Sequence, residues 1–321
     1  MASRLDKPEM HIAVVSSRHT PLLTVNVSIC ILNWEAESLT VCCLKQLLQL
    51  NEIEMHADNV SIIVVDNNSQ DGSDYSIHKF IENASYEKIH FLQNTTNSGY
   101  AAGNNLAVRY ALEHLSPDFV WILNNDTLPT ADSLSQLLEA AEKQPSTTIF
   151  GSTLLNENGS AVECAGGSYY SPCLSTYKHA LKGLTIEEVV LSELPKPLDY
   201  IEGAAMFVRA EVFRTIGLFN EEYFLYFEEL DLIRRLPSGS HIDWCKKSFV
   251  RHIGGASMES KVAEYHSNLS ALMYTRKYHP YCFPFMAVFR FTANLFRNIS
   301  TGRWSLNEAL VSSYKHYFLS R

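Results

Sequence analysis

Four short runs of β-branched and other apolar residues, Val27–Leu32, Val60–Val65, Ile89–Leu92 and Phe119–Leu123, alternate with longer stretches of helical pattern. That alternation is the signature of βαβ units on a mostly parallel sheet. Val60–Val65 is almost wholly apolar, which suits a central strand covered on both faces. The predicted helices run over Ser38–Gln49, with Ser38 as cap, and over Tyr100–Leu115 and Ala131–Lys143. In an open parallel sheet, ligands bind where the carboxyl ends of strands meet several loops. Asn33, Asp66, Gly99 and Asp126 all fall at such ends.

Beyond residue 150 the rhythm breaks. Residues 151–197 are rich in Ser, Gly and Tyr and read as irregular strands and loops suited to acceptor recognition. Regularity returns at Tyr200–Arg209, a helix near Ala210–Ile216 and a charged helical segment at Phe227–Leu236. The expected organisation is an extension over 1–25, a first half over 26–150, a second half over 151–265, and a C-terminal helical segment over 266–321. At 321 residues the chain is long enough to bury a sizeable core. Its net charge of −9 argues against wholesale wrapping of nucleic acid or of an anionic membrane.

The acids carry the chemistry. Asp66, closing a buried strand, either accepts hydrogen bonds from a base or ribose or closes an Asx-type turn through Asp66-Asn67-Asn68-Ser69. Asp126 follows a hydrophobic strand that ends in Asn124-Asn125-Asp126, leaving a carboxylate at the sheet rim. A hard dication such as Mg2+ or Mn2+ can bridge a carboxylate there to a diphosphate. Glu228, Glu229 and Asp231 put three carboxylates in four positions; on a helix Glu228 and Asp231 share a face. Either one of them is a general base, with its pKa raised by its neighbours, or the three decorate a solvated helix N-terminus. His252, before a glycine turn, either completes a metal shell or is structural.

Together these pieces resemble glycosyltransferase family two, with the GT-A fold, and in particular its bacterial rhamnosyltransferase-like branch. The resemblance spans roughly residues 26 to 280. It is carried by Ile31-Leu32-Asn33-Trp34, Val64-Val65-Asp66-Asn67-Asn68-Ser69, Asn97-Ser98-Gly99-Tyr100-Ala101-Ala102-Gly103-Asn104-Asn105, Leu123-Asn124-Asn125-Asp126 and the run Gly203 to Arg235. It implies a Rossmann-like, mostly parallel central sheet flanked by helices, with a nucleotide-sugar-binding half over 26–150, an acceptor-binding and catalytic half over 151–265, and a C-terminal helical extension. It also implies that Asn33, Asp66, Gly99, Asn124 and Asp126 bind the donor, that Asp126 and His252 hold the metal, and that Gly203 and Ala204 line the sugar and acceptor pocket. Asn124 stands in the first acidic place of the family's DxD-like motif. The family's catalytic base is usually the Asp of a Glu-Asp pair; the matching position is Glu229, with Glu228 and Asp231 as alternates.

The implied reaction is a single displacement with inversion, from a nucleotide-sugar to a saccharide or lipid-linked saccharide in surface-polysaccharide synthesis, with dTDP-rhamnose as donor. A UDP-sugar donor and a non-catalytic nucleotide-sugar-binding module are the competing readings. A nucleotidyltransferase would carry a Gly-rich basic loop after its first strand, and Asn33-Trp34-Glu35 is unlike one.

The first 25 residues lack a long apolar run and do not resemble a signal peptide, which predicts synthesis in the cytoplasm. The seven cysteines, Cys30, Cys42, Cys43, Cys164, Cys173, Cys245 and Cys282, form no CxxC pair. They read as reduced, mostly buried thiols, with a Cys164–Cys173 bridge as the alternative. Tyr281–Arg297 is aromatic and apolar but interrupted by Pro284 and Arg290, and is too short and charged to span a bilayer. It is read either as an interfacial helix lined by Lys277, Arg290, Arg297 and Arg303, making a peripheral membrane contact, or as a helix packed on the domain.

Overall fold

The computed structural model describes residues 25–319 apart from 56 and 255–260. Most of the predicted N-terminal extension therefore lies outside the described residues.

The chain begins with β1 (Val27–Asn33), α1 (Glu37–Leu47), α2 (Asn51–Met55), β2 (Val60–Asp66), α3 (Ser73–Glu82), β3 (Ile89–Gln93), α4 (Gly99–His114), β4 (Phe119–Asn124), β5 (Thr127–Pro129), α5 (Ser133–Lys143) and β6 (Thr147–Leu155). It continues through β7 (Val162–Ala165), β8 (Gly167–Ser171), β9 (Thr176–His179), α6 (Ile186–Leu191), β10 (Tyr200–Ile201), β11 (Ala205–Arg209), α7 (Ala210–Ile216), α8 (Glu228–Arg234) and β12 (His241–His252). Three helices close it: α9 (Lys261–Tyr278), α10 (Phe283–Ser300) and α11 (Leu306–Leu319).

The central sheet has the order β3-β2-β1-β4-β11-β6-β12-β5, with β7 beside β6. β3, β2, β1 and β4 are mutually parallel, as the alternation predicts. β11 enters antiparallel between β4 and β6, so the sheet is mixed rather than parallel throughout. The register explains the rim: Asn33 lies opposite Asp66, Asp66 opposite Gln93, and Asn124 opposite Leu32, so the polar ends coincide.

Alternation along the strands builds two cores. Ile29, Ile31, Ile62 and Val64 face one layer with Leu44, Leu47, Leu134 and Leu137. Cys30, Ile63 and Val65 face the other, with Ala101, Ala107 and Val108 of α4. Successive strand side chains point to opposite faces, and a strand buried on both reads as one apolar run. Small residues let α4 approach closely; a Cβ at Gly103 would sit 2.5 Å from Leu32 Cδ1.

Several boundaries differ from the sequence reading. α1 starts at Glu37 with Ala36 at the cap position and no side-chain capping bond, so Ser38 lies inside the helix. α5 starts at Ser133, two residues after Ala131. The long strand β12 escapes a periodicity reading because its register shifts between Cys245 and Phe249, which breaks the period of two. Residues 151–197 contain real strands, and β8, β9 and β10 form a separate three-stranded sheet.

The cysteines also differ. Cys173, in the β8–β9 turn, is bonded to Cys282 at the start of α10, while Cys164 is a free buried thiol with Cys30, Cys43 and Cys245. The bridge joins positions separated by 109 residues, a proximity that no local spacing announces. Pro284 sits in the first turn of α10 and starts that helix instead of interrupting it. The expected basic lining is largely consumed by pairing. Lys277 bonds Asp231, Arg297 bonds Glu264, and Arg290 donates to Asn268, Ser267 and the Ser175 carbonyl. Among the described residues, no helix is long and apolar enough to cross a membrane.

Candidate active site

The site lies at the carboxyl ends of β1, β2 and β4, where the loop before α4 and the segment before α8 close over them. Asn33 and Asp66 are fully buried beneath this rim. Asn33 Nδ2 donates to Asp66 Oδ1 (2.8 Å) and lies within reach of Ser69 and Ser73 Oγ, while Thr40 Oγ1 donates to Asn33 Oδ1. Asp66 Oδ2 accepts from the Ser69 amide (2.9 Å) and from Gln93 Nε2 (2.8 Å). The turn Asp66–Ser69 is thus formed, and both carboxylate oxygens have protein donors. Asn67 continues the lattice by bonding Asn97 and the Gly99 carbonyl, which laces the loop before α4 to the end of β2.

Gly99 adopts φ +83°, and a Cβ there would stand 2.2 Å from the Phe224 carbonyl oxygen. Only glycine permits that approach and that backbone region together. The next amide, Tyr100 N–H, donates to the same carbonyl at 2.7 Å. Ser270 of α9 donates to the Leu225 carbonyl, and the Phe224 ring stacks on His266 at 4.2 Å. Gripped from both sides, the chain passes through two left-handed residues, Tyr226 (φ 71°) and Phe227 (φ 74°), and enters α8. Non-glycine residues pay about 1–3 kcal/mol for such conformations and hold them where the surroundings enforce it.

That entry carries the acids inward, so they do not decorate a solvated helix end. Glu228 is buried, and burial followed by the Glu229 charge pushes it well above the usual carboxylate range. Asp231 is fully buried and structural: Oδ2 bonds Arg235 Nε (2.8 Å), and Oδ1 bonds Lys277 Nζ (2.9 Å) and the Tyr278 hydroxyl (2.7 Å). Glu229 is only partly covered and lies against Gly203, where a Cβ would come 2.2 Å from Glu229 Oε1. Burial first, then the Glu202 charge, raises Glu229 from 4.5 to about 7. Of the three candidates, Glu229 is the one that is not fully covered, and its pKa suits taking a proton near neutrality.

Gly203 and Ala204 connect this acid to the sheet rim. The Tyr100 hydroxyl donates to the Gly203 carbonyl (2.9 Å), and the Asn124 amide donates to the Ala204 carbonyl (3.0 Å). Tyr100 is held well above its ordinary value by burial and then by Glu229, Glu228, Asp126 and Glu202, so one phenol feels four carboxylates.

Two residues past β4, Asp126 faces His252 from the end of β12. Asp126 Oδ1 is 3.4 Å from His252 Nε2 and buried without a hydrogen-bond partner. On the other side of the ring, His252 Nδ1 is 3.0 Å from Glu163 Oε2 of β7. Burial opposes the imidazolium, but the two carboxylates outweigh it and hold His252 at about 10, so a cation on Nε2 would have to displace a proton. Gly254 leaves the opening clear: a Cβ there would lie 2.7 Å from His252 Nε2 and 2.8 Å from Asp126 Oδ2. An unpartnered buried oxygen, an imidazole nitrogen and a glycine cradle fit a divalent cation. Glu163 has the place of an outer partner that orients a ligating histidine. It was not among the residues singled out from sequence, because β7 falls in the stretch read as irregular.

Residues 28–186 match the model of glycosyl transferase family 2. The chain is 28% identical over 181 residues to the low-salt glycan biosynthesis hexosyltransferase Agl10 of Haloferax volcanii, covering 54% of this chain and 52% of that protein. It is 25% identical over 193 residues to the N-acetylglucosaminyl-diphospho-decaprenol L-rhamnosyltransferase of Mycobacterium tuberculosis, covering 55% and 61%. The chain thus spans between half and two thirds of these relatives. Among solved structures, the mannosyltransferase PcManGT from Pyrobaculum calidifontis in complex with GDP-Man and Mn2+ matches with TM-score 0.56 at 12% identity, over 92% of this chain and 88% of that one. S. aureus TarS 1-349 in complex with UDP-GlcNAc matches with TM-score 0.54 at 14% identity, over 91% and 81%. At these identities the likeness establishes the GT-A fold alone. Residues 28–186, which carry the parallel half of the sheet and the Asn124-Asn125-Asp126 corner, belong to glycosyl transferase family 2.

Proposed function

We propose that this chain is an inverting glycosyltransferase that moves a sugar from a nucleotide-sugar to a hydroxyl of a saccharide or lipid-linked saccharide. The observation that carries the reading is Glu229, a carboxyl raised to about 7 and set against Gly203, whose neighbour Ala204 accepts from the Asn124 amide two residues before Asp126. Asp126 and His252 would hold Mg2+ or Mn2+, which when bound neutralises charge growing on the departing diphosphate. Asn33 and Asp66 serve the donor by fixing the turn at Ser69, while Asn67 fixes the loop at Gly99. Glu229 takes the proton from the acceptor hydroxyl as that oxygen bonds to the anomeric carbon. The bond from that carbon to the diphosphate oxygen breaks, and its electron pair leaves with the nucleotide. No covalent sugar–protein intermediate forms.

The name of one relative, a decaprenol-linked L-rhamnosyltransferase, favours rhamnose and a lipid-linked acceptor; dTDP-rhamnose is then the donor in preference to a UDP-sugar, and surface-polysaccharide synthesis the setting. Peripheral contact with a membrane through α10 is supported by exposed Phe285, Val288, Phe289 and Phe296. A cytoplasmic location belongs to the same reading, although the Cys173–Cys282 bond is unusual for a reducing compartment. Incubation with Mg2+ or Mn2+ and a panel of UDP-, dTDP- and GDP-sugars tests the proposal. Transfer, or slow donor hydrolysis without acceptor, is expected. Nucleotide binding with neither would leave a non-catalytic binding module.

A further inference from the structure

Beside Glu229 stands a group of side chains for which the reading above has no task. In register, Ser168 of β8 is paired with His179 of β9 on one side and Tyr200 of β10 on the other, and the chain leaving β10 turns at Glu202 before entering the central sheet. Ser168 Oγ donates its one proton to Glu202, lies 2.9 Å from His179 Nδ1, and so accepts from that nitrogen. His179 and Glu202 are 3.3 Å apart, and their side chains keep 19% and 20% of their exposure, so the pair is held yet open along one edge.

The surroundings of that edge are aromatic. Tyr177, two residues before His179 on the same face of β9, is 54% exposed, with its ring centred 5.1 Å from the imidazole. After burial, Glu202 is the next cause raising both the Tyr177 phenol and the Glu229 carboxyl. Tyr177 thus lies beside His179, His179 beside Glu202, and Glu202 directly precedes Gly203, against which Glu229 is set. The Cys164 sulfur is also near His179 and Glu202. It donates to the Gly167 carbonyl at 2.9 Å, and burial keeps it a neutral thiol, which favours a hydrogen-bonded carboxylate over a metal centre.

We propose that Glu202, aimed by Ser168 and His179, is a specificity residue of the acceptor subsite: it accepts a hydrogen bond from a saccharide hydroxyl next to the one that Glu229 activates, while the apolar face of that sugar lies on the Tyr177 ring. A fixed carboxylate beside an exposed aromatic face is the pairing that a pyranoside requires, since the sugar presents hydroxyls at its rim and C–H groups on its face. The inference rests on the transferase reading.

The test is saturation-transfer NMR on the full chain with a panel of methyl hexopyranosides, in the presence of UDP or dTDP and Mg2+. At least one glycoside is expected to bind, and Tyr177→Ala and Glu202→Gln should each weaken it about tenfold. Nucleotide affinity, measured by titration, should stay within about twofold. Tyr177 is exposed, so its truncation should leave the fold intact if Glu202→Gln does not. Undiminished glycoside binding in Tyr177→Ala and in folded Glu202→Gln, or no glycoside binding by a chain that turns over donor, would overturn the subsite alone. Absence of turnover by the wild type with every donor would overturn the transferase reading beneath it.

Discussion

The carboxylate of Glu229 lies so close to the backbone of Gly203 that a methyl group on that glycine would stand 2.2 Å from Oε1. Gly203→Ala must therefore displace the carboxylate. Transfer should fall at least about a hundredfold in kcat, because a small misplacement of a reacting group is costly. Donor affinity should change little, since the donor-side corner at Asp126 is untouched. Steady-state kinetics with a separate nucleotide titration would check this, and an unchanged kcat would show that Glu229 is not positioned for the reaction.

Glu229 also sets a pH dependence. Its value in the fold is raised from 4.5 to about 7, so the carboxylate needed as base is lost as pH falls through about 7. The rate profile should show an acidic limb there. Glu202→Gln removes a like charge and should move the limb to lower pH. The effect on stability has the opposite sense: the folded state binds this proton more tightly than the unfolded chain, so stability declines as pH rises from about 4.5 to about 7. Glu229→Gln should accordingly melt higher than wild type at pH 8 and at the same temperature near pH 4.

At the cation corner, Mg2+ or Mn2+ should raise the melting temperature of the wild type, and Asp126→Asn should abolish that rise. Glu163→Ala, which strips His252 of its Nδ1 partner, should weaken metal affinity by about 10- to 100-fold without removing a ligand. Equal responses of wild type and Asp126→Asn in a metal titration would move the cation elsewhere.

Asp231 should behave as a structural acid. Removing a partner from a buried ion pair costs about 3–5 kcal/mol, so Asp231→Asn should be strongly destabilised in urea, through loss of the Lys277 and Arg235 contacts. Whatever folded fraction remains should keep its turnover per folded molecule. Loss of turnover at full stability would instead make Asp231 a candidate base.

The parts legible in the sequence were those that local pattern determines. Val27–Asn33, Val60–Asp66 and Phe119–Asn124 announce themselves as apolar runs with polar ends, and their parallel register gathers those ends at one rim. The Glu228–Asp231 cluster is visible in the sequence, but its division into a candidate base and a structural acid is not. That division depends on Gly203 on one side and on Lys277 and Tyr278 of α9 on the other. Glu163 was missed because it reaches His252 only through β6, which pairs with β7 on one edge and β12 on the other. The Cys173–Cys282 bond likewise depends on how α10 docks against the β8–β9 turn. Such contacts are set by tertiary packing, which residue spacing does not encode.

The role proposed for Glu229 is to deprotonate an acceptor hydroxyl beside a nucleotide-sugar site. The most direct measurement is single-turnover transfer by wild type and Glu229→Gln with a donor the wild type accepts, with the product anomer read by NMR and nucleotide affinity measured alongside. An inverted product is expected from the wild type, and from Glu229→Gln at least a thousandfold slower transfer at nearly unchanged nucleotide affinity, in the range expected for loss of an acid–base group, about 10²–10⁴-fold. Transfer by Glu229→Gln at the wild-type rate, or a product with retained configuration, would contradict it.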